Sequence, residues 1–161
     1  MTDQLLALNP HINIVRHKIR LDKSNADKLI GDYDLVLDGT DSFETRFAVN
    51  DACLSAKTPL ISGALGRFDG QLAVFRQDHN EPCYQCFVPT EPPHAETCAT
   101  VGILGALAGI IGSMMAMEAL KIVTGAGTPL FGKLFIYDGL SGETRKISLT
   151  KDPSCPACSE L

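Results

Sequence analysis

The sequence lacks the features that would direct a protein out of the cell or bind it to a nucleic acid or an anionic membrane surface. Polar residues follow Met1, and no apolar stretch typical of a secretion signal comes after them. No run of lysine or arginine occurs, and 14 basic against 19 acidic residues give a net charge of −5. These absences argue against a nucleic acid or an anionic membrane as the main partner and predict a cytoplasmic protein.

Two motifs of nucleotide-binding proteins are also missing. Neither the G-x-G-x-x-G turn nor a P-loop occurs in the 161 residues. Strand-like and helix-like segments nevertheless alternate through the middle of the chain, as in the second half of a nucleotide-binding sheet. We therefore predict an α/β fold, the C-terminal part of a Rossmann-like mixed sheet, in a single partial domain over residues 1–161.

Local patterns predict the elements of that sheet. β-Branched, alternating and short apolar runs predict strands, and apolar residues at helical spacing predict helices. The expected strands are 12–21, 34–38, 59–63, 70–76 and a closing antiparallel pair, 133–138 with 143–150; the expected helices are 25–30 and 43–56, the latter capped by Asp41 or Ser42.

One long apolar segment, residues 101–123, is the only candidate for a membrane span. It is VGILGALAGIIGSMMAMEALKIV, which is long enough to cross a bilayer. Glu118 and Lys121 fall inside it and four glycines interrupt it, so we expect instead the central buried helix of a soluble domain. Its glycines would let neighbouring backbone approach closely.

Two Cys-x-x-Cys pairs predict a metal site. Cys83 with Cys86 and Cys155 with Cys158 are framed by turn-forming residues, so each pair is expected on a rigid loop. Four thiolates around one ion leave no open position, which is the pattern of a structural Zn²⁺ site. Iron in the same cage, a disulfide, a thioredoxin-like redox pair and unrelated free cysteines are the alternatives.

A second candidate site follows the predicted strand 34–38. Asp41 lies between the end of that strand and the start of the next helix, where a carboxylate can hold Mg²⁺ against nucleotide phosphates. Arg46 comes about one helical turn later and could add positive charge there. The alternative is that Asp41 only caps the helix and that Arg46 is a solvated surface residue.

Several motifs in order resemble one family over nearly the whole chain. They are DGTDSFETR (38–46), NDAC (50–53), ISGALGRFDGQLAVF (61–75), CYQC (83–86), a lone Cys98 before a glycine-rich helix ending MEALKIVTG, YDG (137–139) and CPAC (155–158). The chain is similar to the ubiquitin-activating-like (ThiF-type) adenylyltransferases, which include the molybdopterin-synthase and thiamine-biosynthesis enzymes that activate sulfur carriers.

The resemblance implies a function and roles for particular residues. The activity would be ATP-dependent adenylation of the C-terminal glycine of a small ubiquitin-fold sulfur-carrier protein. Asp41 matches the Mg²⁺-associated aspartate and Arg46 a motif arginine that would contact the cofactor. The four paired cysteines match the family's zinc ligands, and Cys98 matches a cysteine that receives the activated carrier in some branches. Ser42 departs from the family, which usually has asparagine there.

Two classes of function remain open from the sequence. The chain is either part of an enzyme that works with a glycine-rich nucleotide-binding half, or a zinc-stabilised module that binds a carrier or dimerises without catalysis. A partial sheet exposes apolar edges, so a homodimer or association with another chain is expected in both cases. Cys53, on an apolar helical face, is expected in the core, and His94 is near enough to Cys98 in sequence to influence it.

Overall fold

A single mixed sheet organises the protein. The computed structural model describes residues 2–78, 80–93 and 102–159. Within these ranges the strand order is β1-β2-β3-β4-β5, with β1 and β2 parallel and each later pair antiparallel. The strands are β1 (Val36–Asp38), β2 (Leu60–Leu65), β3 (Asp69–Phe75), β4 (Lys133–Asp138) and β5 (Thr144–Ser148). The predicted mixed α/β fold is confirmed.

Five helices accompany the sheet in the described residues. They are α1 (Thr2–Leu8), α2 (Ala26–Ile30), α3 (Phe43–Ala56), α4 (Tyr84–Phe87) and α5 (Gly105–Thr124). Helix α3 has the predicted bounds because both of its ends carry strong signals. The Ser42 side chain accepts a hydrogen bond from the Thr45 N–H at 3.5 Å, and Lys57 ends the helix in the left-handed conformation at φ 54°. Ser42, and not Asp41, is therefore the cap.

The sheet separates two apolar cores. Leu60, Ala73 and Phe75 pack on one face with α2, α3 and Tyr84 of α4. Ile61, Leu72 and Val74 point to the other face, where they meet α5. Neighbouring residues of one strand thus serve opposite cores, as the period of two requires. Cys53, with no exposed surface, lies in the first core as predicted.

Close approach between α5 and the sheet depends on two strand glycines. A Cβ added to Gly63 would lie 2.3 Å from the Met115 Sδ, and one added to Gly70 would lie 2.5 Å from the Ile111 Cγ1. A Cβ on Gly105, Gly109 or Gly112 of the helix would meet no atom of the described residues within 4 Å. The expectation that the helix glycines admit neighbouring backbone was therefore wrong, because the close contacts are made by glycines of the sheet.

Helix α5 is also far less buried than expected. Only Leu107, Ile111, Met115 and Glu118 are buried. Large apolar side chains on its outer side are exposed, with Val123 at 74%, Met117 at 57%, Leu120 at 55% and Ile110 at 40%. By length and composition the helix could span a membrane, and 17% of its most apolar window is buried. Uniform apolarity could not reveal which side of the helix the sheet would cover.

The two charges inside α5 pair with each other. Glu118 is 4% exposed, forms an ion pair with Lys121 and accepts a hydrogen bond from the Leu130 N–H at 2.8 Å. The carboxylate thereby fastens the segment after the helix back onto it. The outer side of α5, from Ala106 to Val123 at helical spacing, is left uncharged.

The strand predicted at residues 12–21 does not form. These residues have no strand assignment, and Ile12, Val15 and Ile19 are between 41% and 58% exposed. A strand needs a hydrogen-bonded neighbour, and none of the described residues supplies one there. Strand β1 likewise pairs only with β2 in the described part of the chain, and Leu37 is 46% exposed.

Candidate active site and metal centre

The turn from β1 into α3 presents one unengaged carboxylate. Asp38 is buried, and its Oδ1 accepts hydrogen bonds from the Thr40 N–H at 2.8 Å and the Thr40 hydroxyl at 2.7 Å. Ser42 is occupied by its capping bond. Asp41, between them, is exposed, and within the described residues its carboxylate has no hydrogen-bond or ion-pair partner. A capping role for Asp41 is thus excluded, and its oxygens face solvent where a hard cation can bind.

Arg46 is not a surface residue. It is 6% exposed, and its guanidinium donates to the Ser62 hydroxyl at 3.1 Å, to the Gly63 carbonyl at 2.9 Å and to the Thr40 carbonyl. These bonds tie the loop before α3 to β2. None of the acceptors is charged, and Arg46 forms no ion pair with any described carboxylate. Its positive charge remains available to attract an anion.

Asp41 and Arg46 line the same cavity. It encloses about 560 Å³ between the β1–α3 loop, β2 and β3 on one side and α5 on the other. Thr40, Asp41, Arg46, Ser62 and Asp69 supply polar groups. Glycine and apolar side chains form most of the remaining wall, including Gly39, Gly63, Gly66, Phe87, Val88, Ile103 and Met115. The space suits a slender apolar chain whose charged end meets the polar residues.

The four paired cysteines converge on one point, as predicted. Their sulfurs all lie within 4.8 Å of one another. The distances are 3.9 Å from Cys83 to Cys86, 3.6 Å from Cys83 to Cys155 and 3.5 Å from Cys86 to Cys158. Tetrahedral zinc with bonds of about 2.3 Å places its sulfurs about 3.8 Å apart, so the cage fits such an ion. These separations are far beyond a disulfide bond of about 2 Å.

The two Cys-x-x-Cys pairs form two knuckles of the metal site, the first with Cys83 and Cys86 and the second with Cys155 and Cys158, and they differ in local structure. Cys83 precedes the single-turn helix α4 and Cys86 lies within it, whereas Cys155 and Cys158 lie in turns. The expectation of two loops was therefore wrong for the first pair. A helical turn also brings residues three apart to one side, so it serves the same spacing.

Burial and hydrogen bonding perturb the thiols in opposite directions. Burial raises the pKa of Cys83, although a hydrogen bond from the backbone N–H of Cys86 partly opposes it. At Cys155 burial also acts upward, but N–H groups of Ala157 and Cys158 outweigh it and hold the pKa of that thiol below its ordinary value. Cys155 thus favours the thiolate form, which suits a cation ligand, whereas burial raises the pKa of Cys158 in the same pair to about 12.

Asn50 and Tyr84 are site residues to which the sequence interpretation gave no role. Asn50 is completely buried, and its Oδ1 accepts the Tyr84 N–H at 3.0 Å. The Tyr84 ring packs edge-on against Phe75 at 6.1 Å and also lines the cavity. Burial raises the pKa of Tyr84, and the nearby Arg46 charge partly offsets this. The sequence signal that could have revealed Asn50 was its polar side chain among the buried residues of α3, between Val49 and Ala52.

Comparison with known proteins identifies the family. The ThiF family profile matches residues 1–157. The chain belongs to the ThiF family. Within it, the chain is 43% identical to a sulfur carrier protein adenylyltransferase of Thermus thermophilus and 40% identical to the molybdopterin-synthase adenylyltransferase of Escherichia coli. Each alignment covers 98% of this chain, but 60% and 64% of those relatives. This ThiF family chain therefore spans less than two thirds of their length.

Solved structures support the fold assignment. Escherichia coli MccB, crystallised with ATP, superimposes with a TM-score of 0.82 over 99% of this chain and 50% of its own. MccB in complex with N-formylated MccA gives a TM-score of 0.80. Both are 16% identical to this ThiF family chain, so they show a shared fold.

Two predicted residues of the ThiF family chain, Cys98 and His94, lie outside the described residues. The roles assigned to Cys98, as the acceptor of an activated carrier, and to His94, as its neighbour, stay predictions. Among the others, Asp41 and Arg46 share one cavity, and the four paired cysteines form a separate cluster.

Proposed function

We propose that this chain is the carrier-binding, metal-stabilised part of an adenylyltransferase. The enzyme would use ATP to activate the C-terminal glycine of a small ubiquitin-fold sulfur carrier. The observation that carries the proposal is one cavity lined by both Asp41 and Arg46. Among the described residues the Asp41 carboxylate has no partner, and the buried Arg46 forms no ion pair. The names of the similar proteins, adenylyltransferases acting on a sulfur carrier or on molybdopterin synthase, support it.

The cavity can serve this reaction by positioning and electrostatics. An extended tail would lie along the glycine-lined wall with its carboxylate near Arg46. One carboxylate oxygen attacks the α-phosphate of ATP, a new C–O–P link forms, and the bond to pyrophosphate breaks. Mg²⁺, when bound at Asp41, would neutralise charge on the phosphates. Arg46 holds the Asp41 loop against β2 and contributes a positive potential; its role as a direct ligand of the nucleotide stays a prediction.

Residues that bind the rest of the nucleotide would come from a second polypeptide segment. The free edge of β1, the exposed residues 12–21 and an apolar groove of about 280 Å³ between them support this part of the proposal. His17, Leu21, Tyr33 and Leu37 line the groove. A strand added beside β1 would cover Leu37 and form hydrogen bonds with the backbone groups on the free edge of β1.

Pyrophosphate exchange tests the catalytic proposal. The chain is combined with ATP, a purified sulfur carrier and the part of the Thermus thermophilus relative that it does not match. Exchange in this mixture, and its loss with Asp41→Ala, is the expected result. A stable complex with the carrier but no exchange would favour the second candidate function, a non-catalytic binding module. That candidate is supported by the absence of a phosphate-binding loop from the sequence.

For the four cysteines we propose a structural Zn²⁺ ion. Cys155→Ser should release the metal and lower the melting temperature, because metal binding supplies folding free energy in sites of this kind. Cys53→Ser, which changes a buried cysteine of the first apolar core outside the cage, should keep one metal ion per chain. A red colour and iron content in anaerobically purified protein would mean that the bound metal is iron and not zinc. An unchanged melting temperature with retained metal in Cys155→Ser would contradict the proposed structural metal site.

We further propose a cytoplasmic homodimer. The uncharged outer side of α5 supports association with a second copy, since large apolar side chains seldom remain in water over a continuous surface.

A further inference from the structure

Asn50 joins the helix that begins at the active-site loop to the cysteine cage. It lies in α3, with no exposed surface. Its Oδ1 accepts the backbone N–H of Tyr84 at 3.0 Å, and its Nδ2 lies 3.8 Å from the Cys83 sulfur. Cys83 and Tyr84 are adjacent, so one side chain holds two consecutive groups of the first knuckle.

The orientation of this amide follows from its partners. A backbone N–H can only donate, so the atom of Asn50 that faces Tyr84 must be the oxygen. The NH₂ group then faces Cys83, and the sulfur must accept its hydrogen bond. A metal-bound thiolate is a better acceptor than a neutral thiol. The amide therefore complements the charged form of the cage.

We propose that Asn50 is a positioning residue of the metal site, fixing the sulfur of Cys83 and stabilising its charge from outside the ligand set. Outer-shell hydrogen bonds of this kind orient metal ligands and spread their charge. The same amide fixes the start of α4, and Tyr84 carries that constraint to the wall of the cavity. The proposal rests on metal binding by the four cysteines and is independent of adenylation.

A purely structural Asn50 would behave differently from a positioning residue. If it only filled the core, substitutions would lower stability and leave the electronic environment of the sulfurs unchanged. If it donates to Cys83, removing the donor must alter both metal affinity and the sulfur-to-metal charge-transfer bands.

Metal competition and optical spectra separate these possibilities. Asn50→Asp keeps the oxygen facing Tyr84 but replaces the donor with a charge that repels the thiolate. Zn²⁺ affinity, measured against a chromogenic chelator, should fall about 10- to 100-fold. The charge-transfer bands of the Co²⁺-loaded protein should shift. Asn50→Ala should give the same direction of change. Cys53→Ala, three residues further along α3, should match the wild type in both measurements.

A measurement on the unaltered protein covers the case in which the variants do not fold. With an NMR-active cadmium isotope in the cage, the side-chain amide protons of Asn50 should show scalar coupling to the metal through the sulfur. The proposal is overturned if that coupling is absent, if Asn50→Asp retains wild-type zinc affinity and cobalt spectrum, or if the wild-type cage binds none of these ions.

Discussion

Neighbouring residues at the start of α3 have separate tasks. Ser42 closes the helix end, Asp38 holds the loop through Thr40, and Asp41 keeps its carboxylate free. Arg46, one turn along, fastens the same loop to β2. The arrangement stabilises the turn without using the carboxylate of Asp41, which the proposed reaction needs for Mg²⁺.

This division predicts unequal effects of two adjacent substitutions on the free energy of unfolding. Ser42→Ala should lower the free energy of unfolding by about 1 kcal/mol, because it removes the acceptor for the Thr45 N–H. Asp41→Ala should change it by less than about 0.5 kcal/mol, since the side chain is exposed and unpaired. Urea denaturation of both variants measures the difference. Equal losses would mean that Asp41 contributes to the helix end after all.

The buried thiol of Cys53 predicts a loss of stability at high pH. Burial, with a contribution from Asp38, raises the pKa of Cys53 to about 12. In the unfolded chain a cysteine ionises near pH 8.5, so above that pH the unfolded state gains stability by losing its proton first. The resulting decrease in unfolding free energy approaches about 1.4 kcal/mol per pH unit, until the pH reaches the folded pKa.

The check is a comparison of denaturation profiles for the wild type and Cys53→Ala at several alkaline pH values. Other titrating groups contribute to both proteins, so the difference in slope isolates Cys53. Parallel profiles above about pH 9 would show that the thiol ionises without unfolding the protein.

At the scale of elements, local sequence patterns predicted a helix or strand correctly where the segment itself carries all the residues that determine it. Helix α3 carries its own cap and stop, and the strands β2 to β5 are short apolar or alternating runs between turns. Residues 12–21 carry the same kind of pattern but form no strand, because pairing depends on a neighbour. Burial of α5 was overestimated for a similar reason. The role of Asn50 was missed because its partners are more than 30 residues away.

The packing of α5 on the sheet predicts a contrast between two glycines. Gly70→Ala should destabilise the fold by about 1–3 kcal/mol, because its Cβ would overlap the branched side chain of Ile111. Gly109→Ala should stabilise it by about 0.5–1 kcal/mol, since the helix position is open and alanine is the better helix former. Chemical denaturation should give opposite signs. The same sign for both would contradict the close contact seen at Gly70.

At the scale of the whole molecule, two apolar surfaces are left uncovered by the described residues. One is the edge of β1 with its groove, and the other is the outer side of α5. They lie on different elements, so one partner need not cover both. The proposed completing segment belongs to the first, and the proposed second copy of the chain belongs to the second.

Self-association through α5 is tested by a charge placed on its exposed side. Leu120→Glu should convert a dimer at micromolar concentration into a monomer in sedimentation velocity, because a carboxylate would be buried unpaired in the interface. Leu140→Glu is the matched control, since Leu140 is also a highly exposed leucine but lies in the β4–β5 turn. An unchanged sedimentation coefficient for Leu120→Glu, or flotation of the wild type with lipid vesicles, would rule out the dimer.

The pairing of Glu118 with Lys121 has a consequence for the abundance of the protein in a cell. Because its two charges neutralise each other, the exposed side of α5 offers chaperones and proteases a continuous apolar surface on newly made chains. Copies that find no companion would be captured or degraded, whatever the strength of their cores. The steady-state level of this polypeptide would then follow the supply of its companion more closely than its own rate of synthesis.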